Sequence, residues 1–330
     1  MTATTTQLQS LTEPTPTTHA GIVGLGAALP ERVVANAEVA AQVGVSEEWI
    51  VKRTGIRERR YADPRSKLAT LAAEAGLAAL RDAGIAAGEI DLVLVASCSQ
   101  DSIMPNAAPV VAYQLGASGA GAFDIGSACT GFVSALATAR GMLLTGGARN
   151  ALVIGAEILS RHVDPRDRNT AALFGDGAGA VVCSAGGPGV IGPVVLGSDG
   201  ARSELIYADR DSGILGMDGH GTFKQAVTRL AQGTVDACER AAVALTEIDL
   251  FIYHQANSRI LKTLSEHLAL PAEKVLEAIA GVGNTSAASI PLALAAARRE
   301  GRLHPGMRIL LAGAGAGFTW GACVIDWGIT

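Results

Sequence analysis

The chain has 330 residues, of which 49% are hydrophobic and 17% are charged, and its formal net charge is -5. This length suits two packed halves, and the composition is that of a globular protein. Acidic and basic residues are mixed along the chain, which argues against a nucleic-acid partner and against a polybasic membrane patch. No apolar run approaches the ~20 residues of a membrane span and no secretory signal is visible, so we expect a cytoplasmic protein.

The cysteines argue against a disulfide framework. They are odd in number, widely spaced and free of CxxC pairs, and no histidine cluster accompanies them. We therefore expect no zinc or other metal site. The five cysteines are Cys98, Cys129, Cys183, Cys238 and Cys323.

The hydrophobic pattern predicts alternating helices and strands after an unstructured start. Residues 1–19 are rich in Thr and Pro and are expected to form a mobile tail. Short helices are predicted over residues 36–43 and 46–52, and a longer amphipathic helix over residues 66–82. Residues 91–97 form a continuous apolar run, typical of a strand buried on both faces. This alternation predicts a layered α/β fold.

One stretch, Gly121-Ala-Phe-Asp-Ile-Gly-Ser-Ala-Cys-Thr-Gly-Phe132, joins a short apolar segment to a helical pattern over residues 130–144. Cys129 is therefore expected at the N-terminus of a helix. Free N–H groups and the helix dipole there favour the thiolate, so we expect a pKa below the free value of roughly 8.5. The alternative is that Cys129 is a small buried hydrophobic residue.

The second half of the chain repeats the first. Glu89-Ile-Asp-Leu92 recurs as Glu247-Ile-Asp-Leu250, an offset of 158 residues (249 − 91), and Gly155 recurs as Gly313 at the same offset. Cys129 falls near Asn284, at an offset of 155. A duplicated unit with a pseudo-two-fold axis follows, and in it Cys129 and Asn284 face one cleft. Residues 20–185 and 186–330 are the predicted halves.

His254 follows the repeated apolar strand directly, where a buried strand meets a cleft. A single histidine at a strand end is commonly a structural hydrogen-bonding residue. Together with Cys129 and Asn284, however, it forms a Cys/His/Asn set distributed over the repeat, which is a pattern of nucleophilic catalysis.

With these residues in place, the sequence resembles the β-ketoacyl-acyl carrier protein synthase III enzymes of the thiolase superfamily. The resemblance implies a thiolase-like five-layered αβαβα fold made of two duplicated halves, usually as a homodimer. The matching segments are Glu48-Trp-Ile-Val-Lys-Arg-Thr-Gly-Ile-Arg57, Ser127-Ala-Cys-Thr-Gly-Phe132, Asp164-Pro-Arg-Asp-Arg168, Phe174-Gly-Asp-Gly-Ala-Gly179, His254-Gln-Ala-Asn257, Gly283-Asn-Thr-Ser-Ala-Ala-Ser289 and Gly315-Ala-Gly-Phe-Thr-Trp-Gly321.

The resemblance also implies a reaction. Cys129 would take an acyl group from acyl-CoA, with the N–H groups of Cys129 and Gly317 forming the oxyanion hole. Malonyl-acyl carrier protein would then lose CO₂, with His254 and Asn284 donating hydrogen bonds to the enolate, and the carbanion would attack the acyl group. The expected product is a β-ketoacyl thioester that starts fatty acid or polyketide synthesis. Coenzyme A enters as a thioester substrate, and no cofactor is expected.

Contacts to coenzyme A are likewise implied by the resemblance. Trp49 and Arg168 match the positions that sandwich the adenine, and Arg53 and Gly219 match positions at the same entrance. The alternatives are core packing for Trp49 and a surface ion pair for Arg168.

Four further positions are implied along the route to the thiol. Phe223 and Asn257 match the pantetheine tunnel, and Arg259 matches a cation proposed to meet the acidic carrier protein. Met104 falls in the loop with which a partner subunit closes the acyl pocket.

Two other functions remain open from the sequence alone. One is an acyltransferase on the same scaffold that moves the acyl group to a hydroxyl or amine without condensation; Asn284 argues against it, because such an enzyme stabilises no enolate. The other is a non-catalytic subunit that shapes a partner's pocket, against which the presence of Cys129 argues.

Overall fold

The structure is a computed structural model that describes residues 17–330, so most of the tail predicted over residues 1–19 lies outside the described residues. The strands are β1 (Ala20–Ala28), β2 (Arg32–Ala35), β3 (Glu58–Tyr61), β4 (Leu92–Ala96), β5 (Gly121–Ile125), β6 (Asn150–Ile158), β7 (Asp176–Ala185), β8 (Val190–Ser198), β9 (Ile206–Ala208), β10 (Leu215–Met217), β11 (Leu250–Tyr253), β12 (Arg308–Gly315) and β13 (Thr319–Asp326). The helices are α1 (Asn36–Val43), α2 (Glu47–Thr54), α3 (Leu68–Ala83), α4 (Ala107–Leu115), α5 (Gly131–Leu144), α6 (Gly219–Ala241), α7 (Ser258–Leu268) and α8 (Ser289–Arg299).

Two mixed sheets form the frame. The first has the order β1-β7-β6-β4-β5, and the second has the order β11-β12-β13-β8. In each sheet two neighbouring inner strands are parallel, β4 with β6 and β11 with β12. The strands that follow them, β7 and β13, pair antiparallel. The two sheets therefore share one arrangement, in which a parallel inner pair is followed by an antiparallel strand.

Five layers stack around these sheets. The central core joins apolar residues of both sheets with Phe132 and Leu136 of α5 and with Ile290 and Leu294 of α8. Helices α3 and α4 cover the outer face of the first sheet, and α6 and α7 cover the outer face of the second. The predicted αβαβα architecture is confirmed.

The repeat holds at one offset throughout the inner layers. Strands β4 and β11 begin 158 residues apart (250 − 92), as do β6 and β12 (308 − 150). The 3₁₀ turns Ala128–Thr130 and Ser286–Ala288 share this offset (286 − 128). Ala287, not Asn284, is therefore the counterpart of Cys129, which corrects the predicted pairing; Asn284 lies three residues before its turn's centre.

The first sheet contains only strands that precede residue 186, and the second begins with β8 at Val190. We propose residues 20–185 and 186–330 as the two halves on this basis. Across residues 17–330, no helix combines the length and the apolar character needed to cross a membrane.

Candidate active site

A cavity of about 830 Å³ opens where the ends of β4 and β11 meet the turns before α5 and α8. The ends of parallel strands and the N-termini of the following helices leave such a crevice in α/β sheets. Cys129, His254 and Asn284 all line it. The tertiary structure thus brings together the three residues that the sequence predicts as catalytic.

Cys129 lies in the turn Ala128–Thr130, directly before α5, as the sequence predicts. Ala128 adopts a left-handed φ of 41°, so the backbone turns sharply after β5 and the next residue faces the cavity. Gly315 faces the thiol closely, since a Cβ there would lie 2.8 Å from Cys129 Sγ. The site therefore requires a glycine at residue 315.

The predicted lowering of the thiol pKa is wrong for this structure. Burial raises the pKa of Cys129 to about 11, and the Glu157 carboxylate adds to the rise. Hydrogen bonds from the Ser286 hydroxyl and from the N–H groups of Ala316 and Cys129 oppose it, but they are outweighed. The resting thiol is protonated at neutral pH, so its acylation requires a proton acceptor.

The predicted oxyanion donor, Gly317, has a neighbour that also bears on the thiol. A backbone hydrogen bond from Ala316 acts to lower the pKa of the Cys129 thiol. Ala316 follows β12 directly and lines the cavity, whereas Gly317 does not line it. Gly317 has a φ of 130° and turns toward Thr319, on which a Cβ at Gly317 would impinge. Ala316 is therefore a second candidate for the oxyanion donor beside the predicted Gly317.

Two backbone hydrogen bonds fix the position of Asn284. Its N–H donates to the Leu173 carbonyl at 2.9 Å, and its carbonyl accepts from the Gly175 N–H at 3.0 Å. The side chain is 4% exposed, and its Oδ1 accepts from the Ser286 N–H at 2.9 Å. Because the amide oxygen is used internally, the amide Nδ2 is the group left to donate into the cavity.

His254 is 1% exposed and its backbone N–H donates to the Ala312 carbonyl at 2.8 Å. Burial lowers the pKa of its imidazole to about 4. Its Nδ1 is buried without a hydrogen-bond partner among residues 17–330. At neutral pH the imidazole is neutral, which suits a hydrogen-bond donor to an anionic oxygen and makes it a weak base.

The cavity entrance contains all four positions predicted to contact coenzyme A there, Trp49, Arg53, Arg168 and Gly219. The sequence begins α2 at its Ser46 cap, whose hydroxyl accepts from the Trp49 N–H at 3.1 Å. On the next turn, the Arg53 guanidinium lies 5.4 Å from the Trp49 ring centre, so the two form one cation–π surface.

Phe223, Asn257 and Arg259 also line the cavity. The Arg259 guanidinium lies 5.5 Å from the Phe223 ring centre. Asn257 already has structural bonds, because its Oδ1 caps α7 through the Arg259 N–H and its Nδ2 donates to the Arg53 carbonyl. It therefore joins α7 to α2 beside the cavity.

Met104 does not line the cavity of its own chain. Its side chain is 79% exposed and belongs to the loop between β4 and α4, as does that of Ile103 at 75%.

The sequence reasoning missed three polar residues around the thiol. Cys98 follows β4 and lines the cavity, Ser286 lines it from the second half, and Glu157 lies buried at the end of β6. Each lies at a strand end or in the repeated turn. Applying the offset of 158 more strictly would have found two of them, since Glu157 is the counterpart of Gly315 and Ser286 of Ala128.

Metal ligation has no obvious place here. In the part of the chain that the structure describes, no group of three or more His, Cys, Asp or Glu side chains is arranged to hold a metal ion.

Comparison with known proteins agrees with this geometry. Residues 123–200 match the family described as 3-oxoacyl-[acyl-carrier-protein (ACP)] synthase III, and residues 238–327 match its C-terminal part. A β-ketoacyl-[acyl-carrier-protein] synthase III of Bordetella petrii is 48% identical over 92% of this chain and 97% of its own length. The chain belongs to the 3-oxoacyl-acyl carrier protein synthase III family.

Solved structures of synthase III enzymes share the fold. The 3-oxoacyl-[acyl-carrier-protein] synthase III of Aquifex aeolicus superposes with a TM-score of 0.91 at 42% identity, covering 93% of this chain and all of that one (100%). The priming β-ketosynthase of the R1128 polyketide pathway gives the same TM-score of 0.91 at 35% identity, covering 97% and 99%. Synthases of both kinds thus have this chain's architecture.

Proposed function

We propose that this member of the synthase III family starts acyl chains by decarboxylative condensation. A primer acyl group passes from acyl-CoA to Cys129, and malonyl-acyl carrier protein then supplies two carbons with loss of CO₂. The product is a β-ketoacyl thioester. The observation that carries the proposal is the convergence of Cys129, His254 and Asn284 on one cavity of a synthase III fold.

In the first half-reaction, Cys129 Sγ attacks the thioester carbonyl and coenzyme A leaves as its thiolate. Our candidates for holding the developing oxyanion are the N–H of Cys129 together with that of Gly317 or of its neighbour Ala316. A cavity of about 830 Å³ has the volume to take an extended pantetheine arm and a short acyl chain.

In the second half-reaction, malonyl thioester loses CO₂ and leaves an enolate whose oxygen needs donors. The neutral imidazole of His254 and the amide Nδ2 of Asn284 supply them without bringing a charge into the buried site. The carbanion attacks the acyl carbon, and collapse of the tetrahedral intermediate expels Cys129.

At the entrance, we assign the adenine to the surface of Trp49, Arg53 and Arg168, and the phosphates to its two guanidinium groups. Gly219 and Phe223 at the start of α6 form a further wall of the cavity. Arg259 is exposed beside that wall and is our candidate for the contact with the acidic carrier protein.

A second copy of the chain fits the edge of the first sheet. Strand β5 has no neighbour beyond it among the described residues, and Phe123 on it is 40% exposed. Tyr113 on α4 is 85% exposed, and Met104 in the loop before α4 is 79% exposed. A homodimer would cover these apolar side chains and bring Met104 to the partner's acyl pocket.

The test follows intact-protein mass after mixing with a panel of acyl-CoAs, with and without malonyl-acyl carrier protein. We expect one acyl adduct on Cys129 that disappears with release of CO₂, and no adduct on Cys129→Ala. Asn284→Ala should still be acylated but condense about 10²–10³-fold more slowly, because it loses one enolate donor. Acyl transfer to a hydroxyl or amine without CO₂ release would overturn the proposal.

A further inference from the structure

Arg59 is a buried cation that the reaction as described does not use. It lies on β3 with 0% exposure, and no carboxylate pairs with it among residues 17–330. Arginine keeps its charge in proteins, so its burial is costly unless hydrogen bonds compensate it. Neutral acceptors must therefore hold the guanidinium.

These acceptors belong to two segments that are far apart in the sequence. Nη1 of Arg59 donates to Asn36 Oδ1 at 2.9 Å and to the Val34 carbonyl at 3.4 Å, where β2 ends and α1 begins. Nη2 donates to the Ala172 carbonyl at 2.9 Å, in the turn of residues 170–174. Arg59 thus fastens this turn to the small sheet of β2 and β3.

Asn284 is attached to the same turn. Its backbone forms an isolated parallel bridge with Phe174. In this bridge the Asn284 N–H donates to the Leu173 carbonyl at 2.9 Å, and the Gly175 N–H donates to the Asn284 carbonyl at 3.0 Å. A displacement of the turn would therefore displace Asn284 as well.

The aliphatic part of Arg59 packs against both sides of this bridge. A Cβ added to Gly175 or to Gly283 would lie 3.2 Å from Arg59 Cβ, so the side chain lies directly beneath the two segments. Phe174 and Asn284 line the cavity, whereas Arg59 does not. Arg59 therefore supports the cavity wall from behind.

We propose that Arg59 is a positioning residue for condensation, because its anchoring of residues 170–174 fixes the place from which the Asn284 amide donates to the enolate. It touches neither substrate nor reacting atoms and acts through Asn284. The inference rests on the proposed function, in which Asn284 serves decarboxylation and not the acylation of Cys129. Misplacing a catalytic group by about 1 Å can cost about 10²-fold in rate, so loss of the anchor should slow one half-reaction alone.

The first experiment measures the two half-reactions separately in Arg59→Lys and Arg59→Met. Lysine keeps the charge but cannot reach both segments at once, and methionine removes every hydrogen bond of the guanidinium. At saturating malonyl-acyl carrier protein, CO₂ release by pre-acylated enzyme should fall about 10-fold in Arg59→Lys and about 10²-fold in Arg59→Met. Acylation of Cys129, followed by intact-protein mass, should keep the wild-type rate. Arg59→Lys provides the answer if Arg59→Met does not fold.

A double-variant cycle then tests whether Arg59 acts through Asn284. Asn284→Ala removes the amide that Arg59 is proposed to position. Adding Arg59→Lys to Asn284→Ala should therefore slow CO₂ release no further. Independent roles would multiply the two losses instead.

Amide hydrogen exchange tests the anchor without any substrate. The N–H groups of Gly175 and Asn284 both belong to the bridge, and in Arg59→Lys both should exchange about 10-fold faster than in the wild type. The His254 N–H donates to the Ala312 carbonyl at 2.8 Å, outside the bridge, and should exchange at the wild-type rate.

Arg60→Met is the matched control. This neighbour of Arg59 on β3 donates through Nη1 to the Pro30 carbonyl at 3.3 Å, and neither Arg60 nor Pro30 lines the cavity. The variant should keep the wild-type rates of acylation, CO₂ release and amide exchange.

Wild-type CO₂ release in both Arg59 variants would overturn the inference. Equal slowing of acylation and CO₂ release would do the same, since that is the mark of a general structural role. So would multiplied losses in the double variant, or unchanged exchange at Gly175 and Asn284. If the wild type is labelled by no acyl-CoA or releases no CO₂, the proposed function has failed instead, and amide exchange still decides whether Arg59 anchors Asn284.

Discussion

The turns that contain Cys129 and Ala287 have the same backbone but different chemistry. Both are 3₁₀ turns ahead of an inner helix, and each has a left-handed residue, Ala128 or Ser286. Gly313 packs against the Cys129 carbonyl, and Gly155 packs in the same way against that of Ala287. Only the first turn presents its central residue to the cavity.

The difference shows how a duplicated frame can form one asymmetric site. The first half contributes the proposed nucleophile, and the second contributes the proposed donors, Asn284 before the equivalent turn and His254 at the strand end. The counterpart of His254 in the first half is Ala96 (254 − 158), which is fully buried. One cleft needs one nucleophile, so the second turn is free to be structural.

The largest expected effect comes from moving the thiol between the turns. Cys129→Ala should lower acylation by more than about 10⁴-fold, and adding Ala287→Cys to it should not restore activity. Ala287 is 1% exposed and does not line the cavity, so a thiol there cannot reach the thioester. Intact mass after exposure to acyl-CoA measures this, with Ala287→Cys alone as the folding control. An acyl adduct on residue 287 would show that the two turns are interchangeable.

A smaller effect should separate the glycines under the two turns. In Gly155→Ala the new Cβ would collide with the Ala287 carbonyl oxygen, whereas in Gly313→Ala it would lie 3.1 Å from the Cys129 carbonyl oxygen. We expect a loss of about 3 kcal/mol in the free energy of unfolding for Gly155→Ala and about 1 kcal/mol for Gly313→Ala. Urea denaturation of the two variants measures these losses, and equal losses would mean that the two turns pack equally tightly.

The smallest expected effect is a pH dependence that belongs to the second half alone. Burial lowers the pKa of His254 from 6.5 to about 4, so the unfolded chain takes up the proton first as the pH falls. Stability from this group is complete above pH 6.5 and is lost toward pH 4, with a change of about 2 kcal/mol between pH 7 and 5.

Urea midpoints of the wild type and His254→Asn at both pH values isolate this contribution. Burial raises the pKa values of Glu157 and Asp176, which act in the opposite direction in both proteins and cancel in the difference. The wild type should lose more stability on acidification than the variant. Identical pH dependence would show that His254 is not desolvated as the structure indicates.

The sequence by itself determined the duplicated layers, and it placed the proposed catalytic residues within them. Apolar strands, capped helices and the repeated Glu-Ile-Asp-Leu segment depend on local patterns, and they predicted correctly where Cys129 and His254 lie along the chain. Local pattern also identified Trp49 and Arg53 as neighbours on one helix face, since they lie four residues apart.

Only the tertiary structure decided the protonation state of the site and which neighbouring residues line it. The thiol pKa rises because the cavity excludes water, and burial of that kind depends on both halves together. Ala316 rather than Gly317 lines the cavity beside Cys129, because the chain turns after β12. Ser286 lines the same cavity as Cys129 although the two residues are 157 positions apart (286 − 129), and such long-range proximity leaves no mark on local sequence.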